Sequence, residues 1–178
     1  YKQAKAIAFD YLKMFAGPIP GTTFNETELR CDLPNGARIT LLSSEAGDSL
    51  RGLFLDGVCI DETAQIEPKL WNEIIRPALS DRKGFCYFIG TPAGMGNLFY
   101  ELYQYALGDN KWMTYTAKAS ETNIIDQEEL DAAKAQMGDT KYRQEFECDW
   151  IANIEGSVFG SIITVSYTHM TLPTKLAV

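Results

Sequence analysis

The chain has 178 residues, 46% hydrophobic and 12% aromatic, with 16 basic and 24 acidic side chains for a formal charge of −8. That length and apolar content suit one globular domain with its own core and exclude collagen, coiled coil and wholesale disorder. No apolar stretch approaches the roughly 20 residues of a membrane span, and the N-terminus lacks the basic, apolar, small-residue order of a signal peptide, so an intracellular protein is expected.

Taken in chain order, Ala4, Ala8, Leu12 and Ile7, Tyr11, Phe15 recur at four-residue spacing, predicting a helix that stops at the breaker pair Gly17-Pro18. The start at Tyr1 reads as a helix already under way. Two strand-like runs follow, 28–33 and 38–43, with Asn35-Gly36 between them as a tight hairpin turn. A polar loop at 44–52 leads into the apolar run 53–60, read as a strand buried on both faces and ending in Asp61-Glu62. Pro68 opens a helix to about Leu79, with Leu70, Trp71, Ile74, Ile75 and Leu79 as its apolar stripe. A second apolar strand at 85–89 ends in Gly90-Thr91-Pro92, Asn97 caps a helix through about Ala106, and 112–116 reads as a third strand. Strands alternating with helices predict a three-layer, mainly parallel α/β sheet with a small hairpin insertion. Two further helices are expected, one opening on Asp126 with Glu129, the other on Asp139 and carrying Tyr142, Phe146 and Trp150.

The acidic surplus is unevenly placed. Residues 1–60 and 61–120 each hold six bases and seven acids, whereas 121–178 hold four and ten, so the charge belongs to the last two helices and the chain after them. Cys31, Cys59, Cys86 and Cys148 are widely separated, with no Cys-x-x-Cys pair, and read as small buried apolar residues. The single histidine, His169, lies in the stretch 165–178, which breaks the preceding pattern and is read as a non-native tail.

Ligands of open α/β sheets bind beyond the carboxyl ends of the strands, where two sites stand out. Adjacent carboxylates at a strand end, Asp61 and Glu62, repel each other unless a cation or polarised water lies between them. In a nucleotide-binding reading Asp61 holds magnesium through its water shell and Glu62 orients or deprotonates the water that attacks the γ-phosphate. The competing reading is a solvated strand terminus. Thr91 places a hydroxyl at the neighbouring strand end, where it would sense nucleotide or simply form a turn.

The stretches SLRGLFLDGVCIDETAQI, FIGTPAGMGNLFYELY and KYRQEFECDWIANIEGSVFG together resemble the ATPase domain of the large terminase subunit of tailed bacteriophages, and YKQAKAIAFDYLK resembles the helix after that family's Walker A loop. The resemblance implies an additional-strand P-loop ATPase fold over residues 1–150, a linker start at 151–164, and use of ATP and magnesium (Mg2+). It further implies that Asp61 is the Walker B magnesium residue, Glu62 the catalytic glutamate, Thr91 part of the coupling motif, and Arg51 an arginine finger reaching a neighbouring subunit; the competing role for Arg51 is an ion pair with Asp48 or Asp56. Implied partners are double-stranded viral DNA, the small terminase subunit, the portal protein of the procapsid and further copies in a ring, with no membrane, in the host bacterial cytoplasm. The sequence departs from the family in lacking any G-x-x-x-x-G-K-[ST] loop, expected upstream of Tyr1, and any nuclease acids, for which Asp149 and Glu155 are poor candidates. These 178 residues alone are therefore expected to be inactive. A superfamily 2 helicase or translocase is the enzymatic alternative, although its strand reads DE-x-H or DE-x-D where this one reads DETA, and a non-catalytic α/β interaction domain is the other.

Overall fold

The computed structural model describes residues 2–152, and the chain divides into two compact units, 1–51 and 52–178. In the first, helix α1 (Lys2–Ala16) precedes a three-stranded antiparallel sheet of β1 (Thr23–Asn25), β2 (Arg30–Asp32) and β3 (Arg38–Thr40), in that spatial order. The helix ends as the breaker pair requires, with Gly17 N–H donating to the Lys13 carbonyl at 2.8 Å. Among its described residues Phe9 and Ala16 are buried, whereas Ile7, Tyr11 and Phe15, one of the two periodic sets that mark the helix, are exposed. Phe9 wins the inward position because it meets the β1 residue Phe24 edge to face at 6.1 Å, a contact that helical spacing alone does not foresee.

The hairpin forms where expected, with Asp32 opposite Arg38, but its turn is of another kind. Gly36 N–H closes back on the Leu33 carbonyl at 3.0 Å, and only Gly36 takes a positive φ, 85°. Pro34 fixes the first turn position, and the Asn35 carboxamide oxygen accepts from Ala37 N–H at 3.0 Å, so Asn35 has no need of the left-handed region. β1 was not legible as a strand in the sequence. After β3 the expected polar loop winds into a 3₁₀ helix, Ser44–Leu50, which buries Leu50.

The second unit is built on two parallel strands, β4 (Gly57–Ile60) and β5 (Phe85–Phe88), paired Val58 to Cys86 and Ile60 to Phe88. Between them runs the expected helix, as a π-helical segment Leu70–Ile75 continued by α2 (Arg76–Ser80). Its wide turn puts Leu70, Trp71, Ile74 and Ile75 together on the buried face. It runs into Pro77, whose ring supplies no N–H and crowds the carbonyl four residues back, while Arg76 N–H reaches instead to the Trp71 carbonyl five residues back. Trp71 meets Phe88 edge to face at 4.7 Å, and Trp112 stacks on the same ring at 5.8 Å.

Two expectations for this sheet fail. The strands are buried on one face only; Phe85, Tyr87 and Ile89 on the other are 52–59% exposed. Residues 112–116 form no strand either. A strand needs a ladder partner for its N–H and C=O groups, and among the described residues no strand pairs with this stretch; Trp112 is held by its ring while Met113 and Tyr115 are more than 80% exposed.

Helix α3 (Leu98–Leu107) is capped by Asn97, whose side chain accepts from Tyr100 N–H at 3.1 Å. A short unforeseen helix α4 (Ala119–Thr122) precedes α5 (Gln127–Met137), capped by Asp126 through Glu129 N–H at 3.0 Å as expected, and α6 (Asp139–Glu145). Gly138, not Asp139, holds the N-cap position of α6. The helix stops before Phe146, and Trp150 packs instead against Phe99, Tyr100 and Tyr103 of α3. No helix among the described residues is long and apolar enough to cross a membrane.

Leu79, 2% exposed, seals this unit, and the turn behind it is packed tightly: a Cβ on Gly84 would lie 2.7 Å from both the Leu79 side chain and the Leu55 carbonyl. Leu79→Ala is expected to lower stability by about 2–5 kcal/mol through lost burial and the cavity left behind, read from urea unfolding.

Candidate functional site

The parallel pairing of β4 and β5 ends both strands at one edge and brings the two expected strand termini together. Ile89 N–H donates to the Ile60 carbonyl at 2.9 Å, one step beyond the ladder, and Thr63 N–H donates to the Ile89 carbonyl at 3.0 Å. Asp61-Glu62 is thus laid beside Ile89-Gly90-Thr91. A Cβ placed on Gly90 would stand 3.1 Å from Thr63 N and 3.5 Å from Glu62 Cα, so the absence of a side chain there allows the two backbones to approach.

Both carboxylates are exposed. Asp61 Oδ1 accepts from Glu62 N–H at 3.0 Å, and Glu62 Oε2 accepts from the Gln65 carboxamide at 3.3 Å. Glu62 occupies the left-handed region, φ 52° and ψ 43°, which costs a non-glycine residue about 1–3 kcal/mol and persists only where its surroundings enforce it. The enforcement comes from Thr63, fully buried, whose hydroxyl lies 3.0 Å from the Ile60 carbonyl and 2.9 Å from the Ile89 carbonyl. Helix α3 packs on the turn Thr63–Gln65. Sequence reasoning passed over Thr63; its signal was a β-branched hydroxyl directly after a strand-terminal acid pair.

At this edge Asp61 and Glu62 offer carboxylate oxygens, donors that suit a hard cation such as magnesium. No group of three His, Cys, Asp or Glu side chains gathers among the described residues. One or two carboxylates on an open shelf fit a cation that keeps most of its waters and takes its remaining ligands from phosphate. Two concavities, one beside Tyr105 and Asp109 and one between Tyr100, Arg143 and Trp150, are lined by neither Asp61, Glu62 nor Thr91.

Arg51, also exposed, is the last residue of the first unit, directly after the 3₁₀ helix, whereas Asp61, Glu62 and Thr91 belong to the second. Asp56 pairs with Arg82 at 2.9 Å. Asp149 forms an ion pair with Arg143. Glu155, His169 and most of the expected linker and tail lie outside the described residues.

The cysteines are not the uniform buried set expected: Cys31 is buried, Cys86 and Cys148 are half-buried, and Cys59 is exposed. Burial, with a smaller contribution from Cys59, pushes the Cys86 thiol up to about 12, so it remains a neutral packing group at physiological pH. Because its folded value lies above the unfolded value of 9.0, this thiol favours the folded state fully below pH 9 and loses that contribution as the pH climbs toward 12.

Comparison with known proteins places these observations. A family model described as terminase large subunit, T4-like virus type, N-terminal, matches residues 1–166. The large terminase subunits of Thermus phage G20c and Thermus virus P23-45 are each 46% identical over 61 residues, a stretch that spans 34% of this chain and 12% of theirs. In fold, the chain is similar to the large terminase ATPase domain of Thermus phage P74-26. A mutant of that domain superposes with a TM-score of 0.68 at 23% identity, over 84% of this chain and 74% of that one. The non-mutant structure gives 0.65 at 22%, over 83% and 72%.

Proposed function

We propose, from the premise that the chain belongs to the N-terminal family of T4-like terminase large subunits, that it is the nucleotide-hydrolysing part of a motor that drives double-stranded viral DNA into procapsids. The observation that carries this reading is the juxtaposition of Asp61-Glu62 with Gly90-Thr91 at the carboxyl edge of two parallel strands. A family match over residues 1–166 favours it over the superfamily 2 helicase, whose DE-x-H or DE-x-D pattern is absent from DETA.

The finer fold assignment follows from the same reading. Residues 1–150 would belong to an ATPase domain of the additional-strand P-loop type, whose architecture is three-layered and mainly parallel, with the stretch 151–164 leading towards a nuclease domain. ATP would lie across the strand edge. Asp61 would hold magnesium through water, its Oδ1 oriented by Glu62 N–H, and the metal would supply neutralisation of phosphate charge. Glu62 would accept the proton of the water that attacks the γ-phosphate, with Gln65 steering its carboxylate. Thr91, at the end of the adjacent strand, would register whether a γ-phosphate is present and pass that state into β5. Arg51 would act on the nucleotide of a neighbouring subunit. The assembly this implies comprises a ring of copies, the small terminase subunit, the portal and DNA, in the host bacterial cytoplasm.

The test is ligand-linked stability. In the full-length subunit, ATP with magnesium at about 100 times Kd is expected to add about 2.7 kcal/mol to unfolding, seen as a rise in Tm. Chelation of magnesium or Asp61→Ala is expected to remove most of that rise. An unchanged Tm with ATP and magnesium in the wild-type subunit overturns the nucleotide reading.

A further inference from the structure

Thr63 is fully buried at the one place where the ends of β4 and β5 are tied together. Its hydroxyl has a single proton and two carbonyl oxygens within reach, Ile60 at 3.0 Å and Ile89 at 2.9 Å. Each of those carbonyls also accepts a backbone N–H, Ile60 from Ile89 and Ile89 from Thr63 itself. The hydroxyl is therefore not required to satisfy either carbonyl. What it adds is a cross-brace between the strand that ends in Glu62 and the strand that ends in Thr91. It does so one residue after a glutamate held in the left-handed region, and directly against Gly90, where a Cβ would press on Thr63 N at 3.1 Å.

We propose that Thr63 is a positioning residue for hydrolysis: its hydroxyl bridge holds Glu62 in register with the Thr91 strand, so that the carboxylate is presented to the attacking water. The inference rests on the reading of Glu62 as the group that activates that water. The bridge serves the transition state and not nucleotide capture, because Thr63 is fully buried and its hydroxyl is not presented to a ligand on the shelf where ATP would lie. Its loss therefore falls on kcat. A misplacement on the order of 1 Å at a reacting group costs on the order of 10²-fold in rate.

The experiment compares Thr63→Val, Thr63→Ser and Gly90→Ala in the full-length subunit, with Glu62→Gln as reference. Valine keeps the volume and the β-branch and removes only the bridge, so Thr63→Val is expected to fold and to lose kcat on the order of 10²-fold, with KM and fluorescent-ATP affinity within about threefold of wild type. Serine restores the hydroxyl and is expected to recover most of the rate. Gly90→Ala, which disturbs the same brace with Thr63 intact, is expected to show the same loss confined to kcat, and it decides the matter if the valine variant does not fold. Wild-type kcat in Thr63→Val or Gly90→Ala, beside an inactive Glu62→Gln, overturns the role of Thr63 alone. A loss of ATP affinity that matches the loss of rate also overturns it, in favour of a structural role. Wild-type turnover in Glu62→Gln instead removes the reading on which the proposal stands.

Discussion

Glu62→Gln in the full-length subunit is expected to bind ATP as wild type does and to hydrolyse it about 10²- to 10⁴-fold more slowly, the span associated with removal of a general base. The local structure makes the substitution clean. Glutamine has the same length and branching, so it occupies the left-handed backbone, φ 52°, at no greater cost than glutamate. Its amide oxygen still accepts from Gln65, now 3.3 Å from Glu62 Oε2, and the N–H that orients Asp61 is untouched. What is lost is the negative charge and, with it, the capacity to take a proton. Rapid-quench single turnovers, paired with equilibrium binding of a fluorescent nucleotide, separate the two steps. Hydrolysis at the wild-type rate would leave the two carboxylates as a solvated strand terminus. The contrast with Asp61→Ala, which is expected to weaken magnesium-dependent binding itself, assigns different steps to two adjacent acids.

How much of this site the sequence made legible depended on whether the signal was local. The ends of β4 and β5 were readable because an apolar run that stops at Asp61-Glu62, and another that stops at Gly90-Thr91, mark burial giving way to solvent within a few residues. Asn97 and Asp126 were readable as caps because a cap acts three residues away. The failures each turn on a partner distant in sequence. Residues 112–116 have strand-like composition, but a ladder needs a neighbouring strand that composition does not supply. Ile7, Tyr11 and Phe15 are as periodic as any core stripe, yet Phe24 selects Phe9. The face of β5 that bears Phe85 and Tyr87 has the same apolar character as the face that bears Phe88, and only the placement of Trp71 and Trp112 tells them apart. Thr63 was missed for the same reason, since its second acceptor, Ile89, lies 26 residues on.

Arg51→Ala is expected to lower hydrolysis by about 10³-fold or more in the assembled motor, the range in which a guanidinium stabilises charge on a transferred phosphoryl group. Arg51 is exposed and belongs to a different unit from Glu62. Immediately after it Gly52 takes a φ of 81°, in the left-handed region that favours glycine, so the chain turns directly behind Arg51. Arg51→Lys is expected to recover little, because an ammonium lacks the planar fork that matches phosphate. A mixing experiment decides whether the residue acts across an interface. If each site pairs Glu62 of one subunit with Arg51 of the next, Arg51→Ala and Glu62→Gln subunits each retain the half the other lacks. At equal proportions about one interface in four of a randomly mixed ring then carries both intact residues. Activity is expected to rise well above that of either variant alone and to peak near equal mixing, measured on assembled procapsids with DNA. A mixture no more active than its components would place Arg51 in the framework of its own subunit, because residues acting within one chain cannot complement each other by assembly.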